Sequence, residues 1–373
     1  MLLTDPIPLQ EVRRALVIKL RHHGDVLLTA PVLHALKARA PHCEIDALVY
    51  QETAPMLQGH PALTQLHGID RGWKKRGPLG QAKAELGLLR ALRARQYDLV
   101  LHMTDHPRGA WIARLTGARW AVGPSRPARG RMWRKAFSHL QGEPLNARRH
   151  TAERNLDVLR RIGLYPEPDE RVLSIHPGTE AEARADALLG AAGLARGGFI
   201  AIHPVSRWMF KSWPAEQVAT LCGRLQHAGW KLVFTCGPDA DEKAFVARII
   251  NALPQPVLDL SGQLSLRELA AVIGRARLFF GVDSAPMHIA AAQQVPTVAL
   301  FGPSGELEWG PWGVPHRVVA SDAHPCRPCG IDGCGGGKIS DCLVRLPVEQ
   351  AWAAVQDLLA ETDGRASLRL HHA

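Results

Sequence analysis

Short apolar runs alternate with stretches of helical periodicity, and the alternation restarts halfway along the chain. The run Ala15–Leu20 (ALVIKL) reads as a buried parallel strand. A glycine-containing turn follows it, and the spacing predicts an amphipathic helix over about Val26–Ala40 with Pro31 near its first turn. Strands are then expected at Glu44–Val49 and Tyr97–Leu101, with helices at Leu79–Arg95 and Ala110–Leu115. A βαβα order of this kind builds a parallel sheet with helices on both faces.

The chain has 373 residues, more than one hydrophobic core usually holds, so two domains are expected. The Pro-, Ala- and Gly-rich region Leu164–Gly198 carries a weak strand pattern (Val172–His176) and a helix pattern (Glu180–Leu189), and the boundary is placed there. This gives domains 1–167 and 168–361 and a structureless tail, 362–373. The rhythm resumes with strands at Phe199–His203, Lys231–Cys236, Val257–Leu260, Leu278–Val282 and Thr297–Phe301. Helices are expected at Pro214–Ala228, Asp241–Leu253, Leu266–Ile273 and Ala285–Gln293. A last helix, 347–361, either stays with the second domain or packs back on the first. The fold class is α/β: two doubly wound, Rossmann-like domains in tandem, facing across a cleft. Ligands of open α/β sheets bind beyond the carboxyl ends of the strands, so residues just after strands carry the functional weight.

Hydrophobic residues make up 46% and charged residues 21%, an ordinary soluble balance. No apolar run approaches the ~20 residues that span a bilayer. The first residues include Asp5 and Pro6 and no basic segment, unlike a signal peptide, so a cytoplasmic protein is expected. Charge is uneven: residues 1–164 hold 27 Lys and Arg against 13 Asp and Glu, and the rest hold 18 against 22. Basic residues cluster at Arg126, Arg129, Arg131, Arg134 and Lys135, and again at Arg148 and Arg149. For any one arginine a solvated face is the plainer account. For half a chain, an anionic partner is expected, such as phosphate groups or an anionic membrane surface. No nucleic-acid-binding motif is present, and nucleic acid is not expected as a partner.

Several chemistries are disfavoured. No G-x-G-x-x-G follows the first strand, which argues against a nicotinamide or flavin dehydrogenase. The segment Gly333–Lys338 (GCGGGK) is no P-loop, because Ile339 stands where Ser or Thr is needed and no strand precedes it. No H-E-x-x-H and no G-x-S-x-G occur.

Three post-strand loops stand out. In the first, Gly24 and Asp25 sit where a helix is expected to begin. Asp25 is either a helix N-cap or a carboxylate at the lip of a cleft, placed to take a proton from a hydroxyl. In the second, Ser206, Arg207 and Lys211 precede a helix N-terminus and suit a diphosphate, with Lys211 neutralising a leaving group; an ordinary exposed loop is the alternative. In the third, Asp283-Ser284-Ala285-Pro286-Met287-His288 opens a helix of small residues. Its N–H groups and positive dipole end favour a phosphate, with His288 about one turn on; the alternative is a well-capped helix with a core histidine. After another strand, Asp239 could accept from ribose hydroxyls.

Cys326, Cys329, Cys334 and Cys342 lie in a glycine-rich stretch, and C-x2-C at a turn is a common zinc knuckle. A structural zinc is one expectation. Four free thiols, or a disulfide made on purification, are the other. Nothing about the cluster suggests catalysis. Cys43, Cys222 and Cys236 are scattered in apolar surroundings and read as packing residues.

Taken in order, the segments VIKLRHHGDVLLTAPVLHALK, YDLVLHMTD, HTAERNLDVLRRIGL, HPVSRWMFKSWP, FTCGPDADE, FFGVDSAPMHIAAA and TVALFGPS resemble glycosyltransferase family 9. These are the ADP-heptose:lipopolysaccharide heptosyltransferases, and the likeness runs from about Ala15 to Leu359. The stretch Arg21–Pro31, with RWMFKSW, looks most like the heptosyltransferase III subgroup, which adds a side-branch heptose to the second heptose of the inner core. The resemblance implies a GT-B fold, acceptor bound by the first domain, ADP-heptose by the second, and inverting transfer. Asp25 matches the general base. Ser206 and Lys211, with the backbone N–H groups of Ser284 and Ala285, match donor-phosphate contacts. Asp283 and His288 match residues that hold the heptose and its phosphate. Asp239 matches the ribose-binding acid, with Glu242 as the alternative. The loop before Lys211 is one residue longer than in first-heptose enzymes, and Val205 replaces a hydroxyl residue found there. The resemblance further implies no metal for catalysis. The implied partners are ADP-heptose, a phosphorylated inner-core acceptor and, peripherally, the cytoplasmic membrane surface. Heptosyltransferase I or II activity, or a non-catalytic glycolipid-binding module, are the other readings.

Overall fold

The computed structural model describes the backbone of residues 5–142 and 148–370, with side chains as far as residue 363. The chain divides into two units, Met1–His176 and Pro177–Ala373.

The first unit carries six strands: β1 (Arg14–Ile18), β2 (Glu44–Tyr50), β3 (Leu63–Ile69), β4 (Leu99–His102), β5 (Trp120–Pro124) and β6 (His139–Gln141). They form one parallel sheet in the order β3-β2-β1-β4-β5-β6. The second unit repeats the plan with β7 (Phe199–His203), β8 (Lys231–Phe234), β9 (Leu258–Asp259), β10 (Leu278–Val282), β11 (Thr297–Phe301) and β12 (His316–Ala320). Its parallel sheet runs β12-β11-β10-β7-β8-β9, the same order read from the other edge. In each sheet the strand order reverses beside the first strand, between β1 and β4 and between β7 and β10. The crevice beyond such a reversal is where doubly wound sheets hold ligands.

The central strands are buried along nearly their whole length, as continuous apolar runs between two helix layers require. Trp213 and Phe280 anchor the second core, and the Trp213 indole N–H donates to the Leu346 carbonyl (3.1 Å). Leu16, Ile18, Leu48 and Val100 anchor the first.

Several elements differ from the sequence expectation. The helix expected over Val26–Ala40 is two helices, His23–Leu27 and Ala30–Arg39. Pro31 sits in the first turn of the second, where its missing N–H is harmless, but its ring forbids a continuous helix running in from Leu27. Thr29 seals the break by donating its hydroxyl to the Val26 carbonyl (2.6 Å). The segment Val172–His176 is not a strand; Ser174 is held by His34 (2.8 Å) and His176 (3.2 Å) instead of by a ladder. The last helix spans Val348–Leu370 and packs on β11, β12 and the helix Ala215–His227 of its own unit. It continues beyond Thr362, where the sequence suggested the end of regular structure; there Arg277 donates to Thr362 (2.7 Å) and pairs with Asp363. Residues 371–373 of the expected tail lie outside the described residues.

Candidate functional site

In the second unit the loops after β7 and β10 meet at the strand-order reversal. These strands are adjacent, and Gly281 permits the approach: a Cβ there would meet the His203 carbonyl at 2.8 Å. After β7 the chain buries Pro204, Val205 and Ser206, exposes Arg207 and Trp208, and tightens into a turn at Met209–Lys211. Ser206 Oγ accepts from the Trp208 N–H (3.2 Å). Lys211 Nζ donates to Asp283 Oδ2 at 2.6 Å and stands 5.0 Å from the Trp208 ring centre. The two residues are 72 positions apart in sequence and become neighbours only through the crossover between the strands.

Beyond β10 the helix Ala285–Ala292 begins with Ser284 extended and Pro286 in the first turn. Ser284 does not cap this helix. Its hydroxyl donates to the Val282 carbonyl (3.1 Å), so no side chain of the N-cap covers the first-turn N–H groups. The plain alternative of a side-chain-capped structural helix is thus not what the structure has. His288 is buried one turn further on. The loop carrying Ser206 and Lys211 and the start of this helix thus follow adjacent strands, and the Lys211–Asp283 contact brings the lysine beside the positive helix end.

The two candidate ribose acids are placed differently. Asp239 is exposed and caps the helix Ala240–Asn251, accepting from the Asp241 N–H (2.9 Å). Glu242 is buried and accepts from the Gly237 N–H (2.8 Å), where a side chain on Gly237 would collide with it.

In the first unit the reversal lies between β1 and β4. Asp25 is not the N-cap; that position is His22, and Asp25 sits in the first turn of His23–Leu27, where a carboxylate favours the helix dipole. Its side chain keeps 13% of its surface exposed, and Arg21 Nε lies 3.7 Å away. Behind it is Lys19, which the sequence placed in a strand run without giving it a role. Lys19 is 5% exposed and donates to Asn155 Oδ1 (3.0 Å) and the Met103 carbonyl (3.3 Å), joining the end of β1 to that of β4. Asn155 in turn donates to the Leu28 carbonyl (2.7 Å) at the helix break. Burial pushes the Lys19 ammonium down to about 8, against the opposing pull of the Asp25 charge. A lysine inside an otherwise apolar strand run was the sequence signal that could have singled it out.

Cys342 is buried, Cys326, Cys329 and Cys334 are exposed, and all four are free thiols. Among the described residues no three His, Cys, Asp or Glu side chains converge as a metal site. The loop is tied down by Arg327, which donates to the carbonyls of Gly302 (2.7 Å) and Ser321 (3.2 Å) and pairs with Glu306 (3.1 Å). Among the described residues no helix is long and apolar enough to cross a membrane.

Comparison with known proteins gives this geometry a family. Residues 86–339 match the model of glycosyltransferase family 9 (heptosyltransferase). The chain is 37% identical over 295 residues to lipopolysaccharide heptosyltransferase 3 of Escherichia coli K12, covering 79% of this chain and 83% of that protein. It is 30% identical over 330 residues to lipopolysaccharide heptosyltransferase 1 of Pseudomonas aeruginosa, covering 85% and 86%. A family 9 glycosyl transferase structure from Veillonella parvula superposes with a TM-score of 0.79 at 25% identity, over 94% of this chain and 97% of that one. The E. coli ADP-heptose lps heptosyltransferase II, at 20% identity, shares the fold with a TM-score of 0.72, over 94% and 99%.

Proposed function

The chain belongs to glycosyltransferase family 9, the heptosyltransferases, and from that premise we propose that it moves heptose from ADP-heptose onto the inner core of lipopolysaccharide, adding the side-branch third heptose. The observation that carries the reading is the corner at the second strand-order reversal, where Lys211, held by Asp283, stands with an uncapped helix end. A cation beside a helix start that its N-cap side chain leaves open suits a diphosphate leaving group.

In this reading Asp25 takes the proton of an acceptor hydroxyl. The oxygen attacks the anomeric carbon from the face opposite ADP. The carbon–oxygen bond to the diphosphate breaks, its electron pair leaves with ADP, and the anomeric configuration inverts. Lys211, the Ser206 hydroxyl and the N–H groups of Ser284 and Ala285 take up the negative charge on the diphosphate. Arg207 screens it from the exposed side of the loop. Asp283 orients Lys211, and with His288 it contacts the transferred sugar. Of the two candidate ribose acids we favour Asp239, because it is exposed at the start of its helix whereas Glu242 is buried. The reaction then proceeds without a catalytic metal, and chelator leaves the rate unchanged. Lys19 and Asn155 hold the end of β1 beneath Asp25 and act as positioning residues. The acceptor is lipid-borne and phosphorylated, which suits a basic first unit and a peripheral place on the cytoplasmic membrane face.

The test is a panel of purified acceptors with no, one or two core heptoses, incubated with ADP-heptose and read by mass. Gain of one heptose only on the two-heptose acceptor supports the third-heptose assignment. Gain on a shorter acceptor reassigns the chain to the first or second transfer. No gain on any acceptor, with no binding of ADP-heptose, sinks the transferase reading and leaves a glycolipid-binding module.

A further inference from the structure

From His106 to Gly142 the sequence holds eight Lys and Arg and no Asp or Glu. Arg108 and Arg119 are answered from outside the stretch, by Glu85 and Glu11 (2.5 Å each). Arg114, Arg129, Arg131, Arg134 and Lys135 are exposed, and among the described residues none has a carboxylate within ion-pairing distance. Arg114 and Arg129 are instead aimed by backbone carbonyls, of Lys135 (3.1 Å) and Asp105 (3.0 Å).

Amid these cations lies apolar surface that the core does not use. Trp111 is 52% exposed and Met132 is 55% exposed. Leu115, one turn on from Trp111 in the helix Pro107–Thr116, is also exposed. Trp111 and Met132 line a pocket of about 200 Å³ together with Ala110, Trp133, Arg114 and Arg129. The Arg129 guanidinium lies 5.8 Å from the Trp133 ring centre. A half-exposed tryptophan and methionine are costly in water, whereas a tryptophan ringed by arginines matches the boundary between lipid headgroups and acyl chains.

We propose that this face of the first unit, Trp111 and Met132 within the ring Arg114, Arg129, Arg131, Arg134 and Lys135, docks the enzyme on an anionic lipid bilayer. The apolar pair enters the headgroup boundary and the guanidinium groups bind lipid phosphates. The charge complementarity selects the occupant, because five unanswered cations around a shallow apolar pocket disfavour a second copy of the same basic face. The proposal extends the peripheral membrane reading above but does not depend on which sugar is transferred.

The test is co-sedimentation of the full chain with vesicles of phosphatidylcholine alone, or with about one-third phosphatidylglycerol. Wild type partitions only onto the anionic vesicles, and salt releases it. Arg129→Gln with Arg131→Gln lowers the partition roughly fivefold for each cation removed. Trp111→Ser with Met132→Ser lowers it by at least tenfold. All four substitutions leave transfer to a delipidated, water-soluble acceptor unchanged, which separates this outcome from failure of the transferase reading. Lys83→Gln with Arg90→Gln, on the exposed helix Gly77–Ala94, leaves partition within twofold. If a variant misfolds, hydrogen exchange on wild type replaces it: residues 107–116 and 130–134 gain protection with anionic vesicles only. Partition indifferent to lipid charge, equal binding by the patch variants, or protection of the same segments by soluble core oligosaccharide or by self-association overturns the proposal.

Discussion

The two units share one strand order and differ in what they bury. The first sets charge and histidine inside its fold: Lys19, Asp46, His60 and His102 are all buried. The second buries charge and histidine too, in Glu242, Asp283, His203 and His288, but its buried cation, Arg275, reaches outward to Glu182 (2.5 Å) and to Asp186 (2.6 Å), whose side chain is 66% exposed. A shared topology therefore fixes where a ligand can sit, while the chemistry at each reversal is independent. In one unit a carboxylate stands before a buried lysine, and in the other a lysine–carboxylate pair stands at a helix end.

The sharpest way to break that contrast is to remove one group from each reversal. Asp25→Asn is expected to lower kcat by about 10²–10⁴-fold and leave ADP affinity within twofold. Lys211→Ala is expected to lower kcat by about 10²–10³-fold and also to weaken ADP binding by at least tenfold. Titration calorimetry with ADP beside steady-state rates separates them. Weaker ADP binding by Asp25→Asn would mean that the division of labour between the units is wrong.

Stability offers the next contrast. Asp46 is wholly buried and accepts from Tyr97 Oη (2.6 Å) and Arg95 Nε (2.7 Å), with His67 at 3.5 Å. Burial alone would raise its carboxyl, but the hydrogen bonds from His67, Arg95 and Tyr97 outweigh it and hold the group at about 2. Asp46→Ala takes the acceptor from the buried Tyr97 hydroxyl and one of the two carboxylates from Arg95, which keeps Glu44 (2.6 Å), so it is expected to destabilise by about 2–3 kcal/mol. Asp186→Ala, at the exposed end of the second unit's network, is expected to lose under about 1 kcal/mol. Denaturant melts of the two variants decide it, and equal losses would erase the distinction.

Acid should separate the units in the same direction. Burial holds His60 and His102 in the first unit, and His203 in the second, at about 3 against the ordinary 6.5. The unfolded chain takes protons below about 6.5 that the fold refuses, so this stability is complete above that pH and is lost as pH falls toward 3. Each histidine removes ~1.4 kcal/mol per pH unit, or ~2 kcal/mol by pH 5. Two of these three histidines belong to the first unit, and His34 and His176, also lowered by burial, lie there too and push the same way. Hydrogen exchange at pH 5 should show the first unit opening before the second; the reverse order would contradict the histidine account.

What the sequence revealed follows the same physics. Central strands such as β7, β10 and β11 were legible because burial on both faces writes a continuous apolar run. The strands β3, β6 and β12 were not, because edge strands mix polar residues such as Thr64, Gln65, His139 and Arg317 into the run, and in β5 Gly123 and Pro124 cut the apolar run short. Site loops could be picked out one by one, since post-strand glycines and small residues at helix starts have local signatures. Their convergence could not: the Lys211–Asp283 contact depends on β10 lying beside β7, and strand order leaves no local trace. Lys19 was visible as an anomaly, yet its link to Asn155 crosses 136 positions.

The smallest expected effect concerns the cysteines, where spacing and geometry point in different directions. Spacing suggests a zinc knuckle, but Arg327 with its carbonyl partners, and Cys334 Sγ accepting from the Asp341 N–H (3.4 Å), already tie the loop down. In the native protein, Cys326, Cys329 and Cys334 should therefore react quickly with a disulfide reagent, three thiols in all. Cys43, Cys222, Cys236 and Cys342 are buried, and burial raises each thiol, so they should react only after unfolding. Replacing Cys326 and Cys329 by Ser should change stability by under about 0.5 kcal/mol, as for exposed positions without a structural partner. Should all four loop thiols instead be masked until a mercurial releases one equivalent of metal, the loop must close around the ion. The Arg327 contacts would then be its apo arrangement, and the serine variants would lose far more than that amount.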